Sequence, residues 1–190
     1  GLDPDGNPTD GITRYPSTAN FDEEEFDIKA ATGWSRSQYL NIWVAEIEDL
    51  DYAYIPSLNG LPNSTLDGVV VNTIAFGGPG FGAEEPYNLG RTATHEIGHF
   101  LGLQHIWRGS GCNSDDGFSD TPLQDVENYG CPIHPSPSCD NAGDMFMNYM
   151  DYTDDNCMNA FSAMQANHMR NILMGIRNSL MASGEVQCKT

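Results

Sequence analysis

Positive charge is scarce in this chain: Lys and Arg together number 8 against 27 Asp plus Glu, a net charge of −19. So acidic a surface repels phosphate, which argues against nucleic acid or anionic lipid as a partner. It suits solubility, bound cations or an attraction for basic peptides. Long apolar runs are missing too. No stretch approaches the ~20 residues that span a bilayer, so no membrane is expected. The opening Gly1-Leu2-Asp3-Pro4 lacks a charged-then-apolar leader, so a signal peptide is expected to be absent or already removed.

No cysteine precedes Cys112. Cys112, Cys131, Cys139 and Cys157 fall in a stretch rich in Gly, Pro and Asp, where a core is hard to build. Disulfides would fix such loops, and they imply an oxidising, extracellular compartment. Structural zinc is the rival, but no pair has the close C-x₂₋₄-C spacing. Four cysteines allow three pairings, and spacing does not choose among them. Cys188 is the odd one out: free, or paired outside this sequence.

With 190 residues the chain fits one domain, and an apolar fraction of 39% is ordinary. No internal repeat appears. DPDGNPTDG (3–11) lacks the closing glutamate of a calcium loop and reads as a plain turn. Asn20 and Glu23 form a capping-box pattern ahead of a helix over about 21–32, with Phe26 and Ala30 facing inward. In QYLNIWVAEI (38–47), Leu40, Ile42 and Val44 alternate onto one face, as in a strand. DGVVVNTIAFGG (67–78) is a β-branched run closed by glycines, which predicts a strand covered on both faces. A helix is expected from about 88 to 101, then mostly loop over 104–161. Ser162 with Gln165 caps a last helix striped by Met169, Ile172, Leu173, Ile176 and Leu180. The class is α/β.

Histidine is also rare, at five residues, yet three of them lie in THEIGHFLGLQH (94–105). On a helix, His95 and His99 stand one turn plus ~40° apart with a rise of ~6 Å, so both rings leave one face. Two nitrogens can then reach one ion at ~2.0–2.1 Å. Glu96 points ~100° around the helix from His95. There it can act on water at the metal without being a ligand. Catalytic zinc takes three protein ligands and an open position. The third must come after the helix ends, and Gly102 tolerates the positive φ that stops it and lets His105 swing back. Requiring Gly102 and His105 beyond H-E-x-x-H tightens the pattern about 360-fold at this composition. His134, in a proline-rich loop, and His168, on the polar side of the last helix, read as ordinary solvated residues.

HEIGHFLGLQH resembles the extended zinc signature of the metzincin metallopeptidases, and NYMDY (148–152) resembles their methionine turn. HEIGHFLGLQHIW, CNSDDGFSDTP (112–122) and NYMDYTDDNCMNAFSAMQ (148–165) together resemble the pappalysin family, in its cytophagalysin or ulilysin-like branch. The likeness covers about residues 67–175 and is looser before. It implies one catalytic domain over 1–190 with a twisted, mostly parallel sheet, an active-site helix and a backing helix. A loop-rich C-terminal subdomain (about 103–190) ending in a helix would face the N-terminal one (about 1–102) across the cleft. The strand at 67–78 would lie beside that cleft, its edge open to an extended substrate.

The resemblance also implies roles. His95, His99 and His105 would bind zinc, Glu96 would be the general base, and Met150 would floor the metal. Tyr152 would stabilise the reaction intermediate. The disulfides would be Cys112–Cys139 and Cys131–Cys157. Calcium would sit on Asp116, the Ser119 carbonyl and Thr121, with Asp115 and Asp120 nearby, an oxygen set suited to a hard cation. Some relatives select a basic residue after the cut bond through an acidic group just before the last cysteine of this set. Asn156 stands there instead, after Asp154 and Asp155, which leaves the preference open. The reading is a secreted, monomeric zinc endopeptidase acting on proteins or peptides, made with an upstream propeptide. The alternative is an inactive zinc-containing binding module on the same fold.

Overall fold

The computed structural model describes residues 1–16, 18–57 and 60–182. Helix α1 (Phe21–Thr32) begins at Asn20, whose side chain accepts from Asp22 N at 3.0 Å rather than from residue 23. Its inward face is set by Phe21, Ile28 and Lys29, not by Phe26 and Ala30, which are both exposed. The reason is Lys29. Its ammonium is fully buried, 2.7 Å from Glu25, and lies over the rings of Trp43, Tyr52 and Tyr54. A charge satisfied this way can occupy a core position that an apolar count assigns elsewhere.

Three short strands follow: β1 (Ile42–Ala45), β2 (Asp51–Ala53) and β3 (Val69–Asn72). Their order is β1-β3-β2, with β1 parallel and β2 antiparallel to β3. The sheet is therefore mixed, not mostly parallel. Only residues 46–50 join β1 to β2, too few for the crossover that a parallel partner needs. Val69, Val70 and Val71 are fully buried, as a strand covered on both faces requires. The strand is shorter than the run 67–78, because Thr73–Ala75 turns into a 3₁₀ helix. β3 is also the central strand, so it offers no free edge; the open edges belong to β1 and β2.

Val70, Trp43, Ala45 and Tyr52 point toward α1, while Val69, Val71 and Ala53 meet α2 (Arg91–Phe100) through Ala93, Ile97 and Phe100. The result is three layers, helix on sheet on helix. Ile42 and Val44 share the α2 face, as their alternation predicts. On edge strand β1, however, they stay 38% and 42% exposed.

From 101 to 162 the described chain forms no helix or strand, only turns and an isolated Asn148–Ala160 bridge. Disulfides Cys112–Cys139 and Cys131–Cys157 cross this region. Cys188 lies outside the described residues. The predicted last helix is two: α3 (Ala163–Met174), opened by the Ser162/Gln165 capping box, and α4 (Asn178–Ala182). The break turns Arg177 inward in place of Ile176. Arg177 makes a bidentate pair with Asp67 at 2.8 and 2.9 Å and donates to Phe100 O at 3.0 Å. The turn at 3–11 is held by Asp3, which accepts from Asp5 N and Asn7 N.

Candidate metal centre and cleft

α2 is where the site begins. Its N-terminus is capped from far away: Asp155 Oδ2 accepts from Leu89 N at 2.7 Å and Arg91 N at 3.2 Å. A carboxylate there suits the positive end of the helix dipole. At the other end Gly102 has φ +88°, with Leu103 N bonded to Gly98 O and Gly102 N to His99 O. That pair of bonds is a Schellman stop. A side chain at Gly102 would also meet His168 Nε2 at 2.9 Å and Ile172 of α3 at 3.2 Å. His168 is thus half-buried against Gly102 and Phe118, not freely solvated, whereas His134 is exposed.

The three histidines converge. His95 Nε2 and His99 Nε2 lie 3.2 and 2.9 Å from His105 Nε2. His95 Nδ1 meets Tyr149 O at 2.6 Å and His99 Nδ1 meets Leu103 O at 2.8 Å. A carbonyl only accepts, so both Nδ1 atoms carry the proton and both Nε2 atoms present lone pairs. Lone pairs aimed at one point, with at most one donor among them, fit a cation. Burial holds all three rings in the neutral, ligating form. His95 is lowered well below the ordinary value, His99 is lowered, and His105 falls to about 3, with the neighbouring His99 adding to burial. The donor set suits zinc.

Met150 is fully buried below this point. Its sulfur sits so close to α2 that a side chain at Gly98 would meet it at 2.5 Å. Tyr152 faces the histidines, its ring 4.8 Å from His105 and 5.5 Å from His95. Between them Asp151 is fully buried and accepts from Asn128 N and Nδ2, Gln124 Nε2 and Tyr152 N, all at 2.8–3.0 Å. Those bonds fix the turn that presents Met150 and Tyr152.

Glu96 Oε1 lies 3.7 Å from His95 Nε2, and Oε2 is buried with no partner. Burial and the nearby Asp51 carboxyl push Glu96 well above the ordinary carboxylate value. Asp51, on β2, is itself pushed up to about 7 by burial. A cavity of 420 Å³ opens beside His95, lined by Asp49, Asp51, Asp155, Tyr87, Tyr129 and Tyr152. Asn156 is exposed and not in its lining.

Of the calcium set, Asp116 and Thr121 come together. Asp116 is buried and accepts from Thr121 Oγ1 at 2.7 Å and Phe118 N at 3.1 Å. The Ser119 side chain is exposed, its hydroxyl 3.3 Å from Met164 Sδ. Asp120 is used at the start of α3, accepting from Ser162 Oγ and Met164 N. Cys112, Asp125 and Cys139 also cluster, but both sulfurs are bonded to each other.

Residues 22–174 match the Peptidase M43 family model, described as pregnancy-associated plasma protein-A. This chain belongs to that family, the pappalysins. An extracellular metalloprotease of Colletotrichum graminicola is 39% identical over 163 residues, 83% of this chain and 58% of the relative. Extracellular metalloprotease 1 of Coccidioides posadasii is 43% identical over 124 residues, 63% and 43% of the two chains. The M43 chain thus spans about half the length of the curated relatives it matches. Among solved structures, mature mirolysin of Tannerella forsythia in complex with a cleaved peptide superposes with a TM-score of 0.84 at 43% identity. The match covers 94% of this chain and 72% of that one. A promirolysin mutant matches equally, at 0.84 and 42%, over 95% and 64%.

Sequence reasoning missed Asp51, Trp107, Asp151 and Asp155. A three-residue strand shows no period, and a loop carboxylate gives no sign of the donors it will meet. Trp107 gave no such signal either, because a turn over 105–108 sets which way its ring and that of His105 leave the chain.

Proposed function

We propose that this chain is the catalytic domain of a secreted zinc endopeptidase, built as two subdomains about a cleft. The observation that carries the reading is the convergence of three Nε2 lone pairs beside a buried, partly unpaired glutamate. His95, His99 and His105 would hold the ion. Zinc, when bound, supplies the Lewis acidity that activates water and polarises a peptide carbonyl. Glu96 takes the proton of the attacking water on its carboxylate and passes it to the leaving amine. Tyr152 donates its phenolic O–H toward the developing oxyanion. Met150 and Leu103 keep water out from below.

An extended substrate pairs with the free edge of β2 rather than with β3. The carboxylates of Asp49 and Asp155 in the adjoining cavity favour a basic side chain, in place of an acidic residue at 156. Calcium on Asp116, Thr121 and the Ser119 carbonyl ties down the loop after the third histidine, the oxygen donors suiting a hard ion. Secretion is supported by the two disulfides and by relatives named extracellular metalloproteases. No helix among the described residues is long and apolar enough to cross a membrane. A monomer and an upstream propeptide belong to the same reading.

Glu96→Ala tests it. Hydrolysis of a denatured polypeptide should fall by about 10²–10⁴-fold while zinc is retained. Undiminished turnover would remove Glu96 from the mechanism. Sequencing the products made by the unmodified chain from a peptide library reads the side-chain preference directly.

A further inference from the structure

The three histidines are not held alike. His95 and His99 are oriented by carbonyls on Nδ1, Tyr149 O and Leu103 O, the usual way a metal-facing imidazole is fixed. His105 has no such carbonyl among the described residues. It is also the ligand that comes from loop instead of helix, so its ring needs support from elsewhere.

The support is aromatic. The indole of Trp107 lies flat on the His105 ring, centroids 4.4 Å apart and planes within 5°. The Tyr152 ring stands edge-on to both, 4.8 Å from each. Local chain geometry dictates the stack. Ile106 turns down into the Met150 cluster, 1% exposed, and its N–H reaches Met150 O at 3.3 Å. A turn over 105–108 places the His105 and Trp107 rings together on the other side. Arg108, at φ +47°, then closes a turn with its N–H on His105 O at 3.0 Å. Trp107 is itself only 7% exposed, so the indole has little room to leave the imidazole.

We infer that Trp107 is a positioning residue that orients His105 as a metal ligand and shelves Tyr152 against it, in place of the hydrogen bond given to the other two histidines. This rests on the zinc reading of the triad but not on peptide hydrolysis. A flat face is what the role requires, so ring shape matters more than volume.

The experiment titrates Zn²⁺ into the metal-free full chain against a chromophoric chelator, for the unmodified protein, Trp107→Phe and Trp107→Leu. Folding of each is checked by its metal-free thermal transition. Trp107→Leu should weaken zinc binding by about 10–100-fold, the usual effect of losing a ligand's support. Trp107→Phe keeps a ring and should stay within about threefold. Zinc binding by Trp107→Leu as tight as the parent's, or equal weakening in both variants, overturns the inference. If Trp107→Leu does not fold, Trp107→Met, which fills the space without a flat face, is read in its place by the same criteria. A chain that bound zinc tightly but cut nothing would end the peptidase reading and leave this one standing.

Discussion

The two halves of the molecule are held together by different means. Before residue 102 the buried apolar side chains match the polar ones in number: Val69, Val70, Val71 and Ala75 on or beside the central strand, with Phe21, Ile47 and Phe100 around them, against Lys29, Asp67, Asn72, Thr92, His95, Glu96 and His99. After it, buried polar groups outnumber apolar ones, among them Asp116, Gln124, Asp144, Asn148, Asp151, Thr153, Asp155 and Gln165. Leu103, Ile106 and Met150 form one small apolar cluster under the histidines. The first half positions its ligands by helix geometry. The second positions His105, Met150 and Tyr152 from loops, and does so by giving its buried carboxylates donors and by crossing the loops with disulfides. A site needs no regular secondary structure where long-range hydrogen bonds to buried polar groups fix its loops.

That contrast can be broken from the C-terminal side first. Replacing Cys131 and Cys157 by alanine should cost about 2–5 kcal/mol by denaturant unfolding. Cys157 follows Asp155, which caps α2, so the loss should reach zinc affinity as well; unchanged stability would show that the polar network alone holds the loops. Removing calcium by chelation, then restoring zinc, is the next test. If calcium occupies the Asp116 loop, thermal stability should stay below that of the calcium-loaded chain by the mass-action amount, about 2.7 kcal/mol at a hundredfold excess over Kd. Full recovery with zinc alone would empty that proposed site.

The smallest effect concerns the seam between the halves. Asp51 is raised to about 7 from an ordinary 3.8, so the fold prefers its protonated form. Its contribution to stability is complete below about pH 4 and is lost as pH rises through about 7. Asp51→Asn stays neutral, so the metal-free variant should lose less stability than the parent between those limits. Parallel stability-versus-pH curves would contradict the placement of Asp51.

The same contrast explains what could be read from the residues alone. The histidine centre was legible because helix period and a single glycine fix it locally: His95, His99 and Gly102 act over eight residues. The β3 valines were legible for the same reason, as was the Ser162/Gln165 cap. The inward face of α1 was not, because its central buried residue is a lysine whose partners lie on another element. The break before α4 was hidden because it serves Arg177, whose partner Asp67 is 110 positions away. Asp155 reaches back 64 residues to Arg91 at the start of α2. Long-range polar pairs leave no period in a sequence.

Metal content tests the central claim most directly. Elemental analysis of natively purified chain should give one zinc per molecule, kept in Glu96→Ala and lost in His105→Ala. No transition metal in the parent, or an undiminished zinc content in His105→Ala, would contradict it.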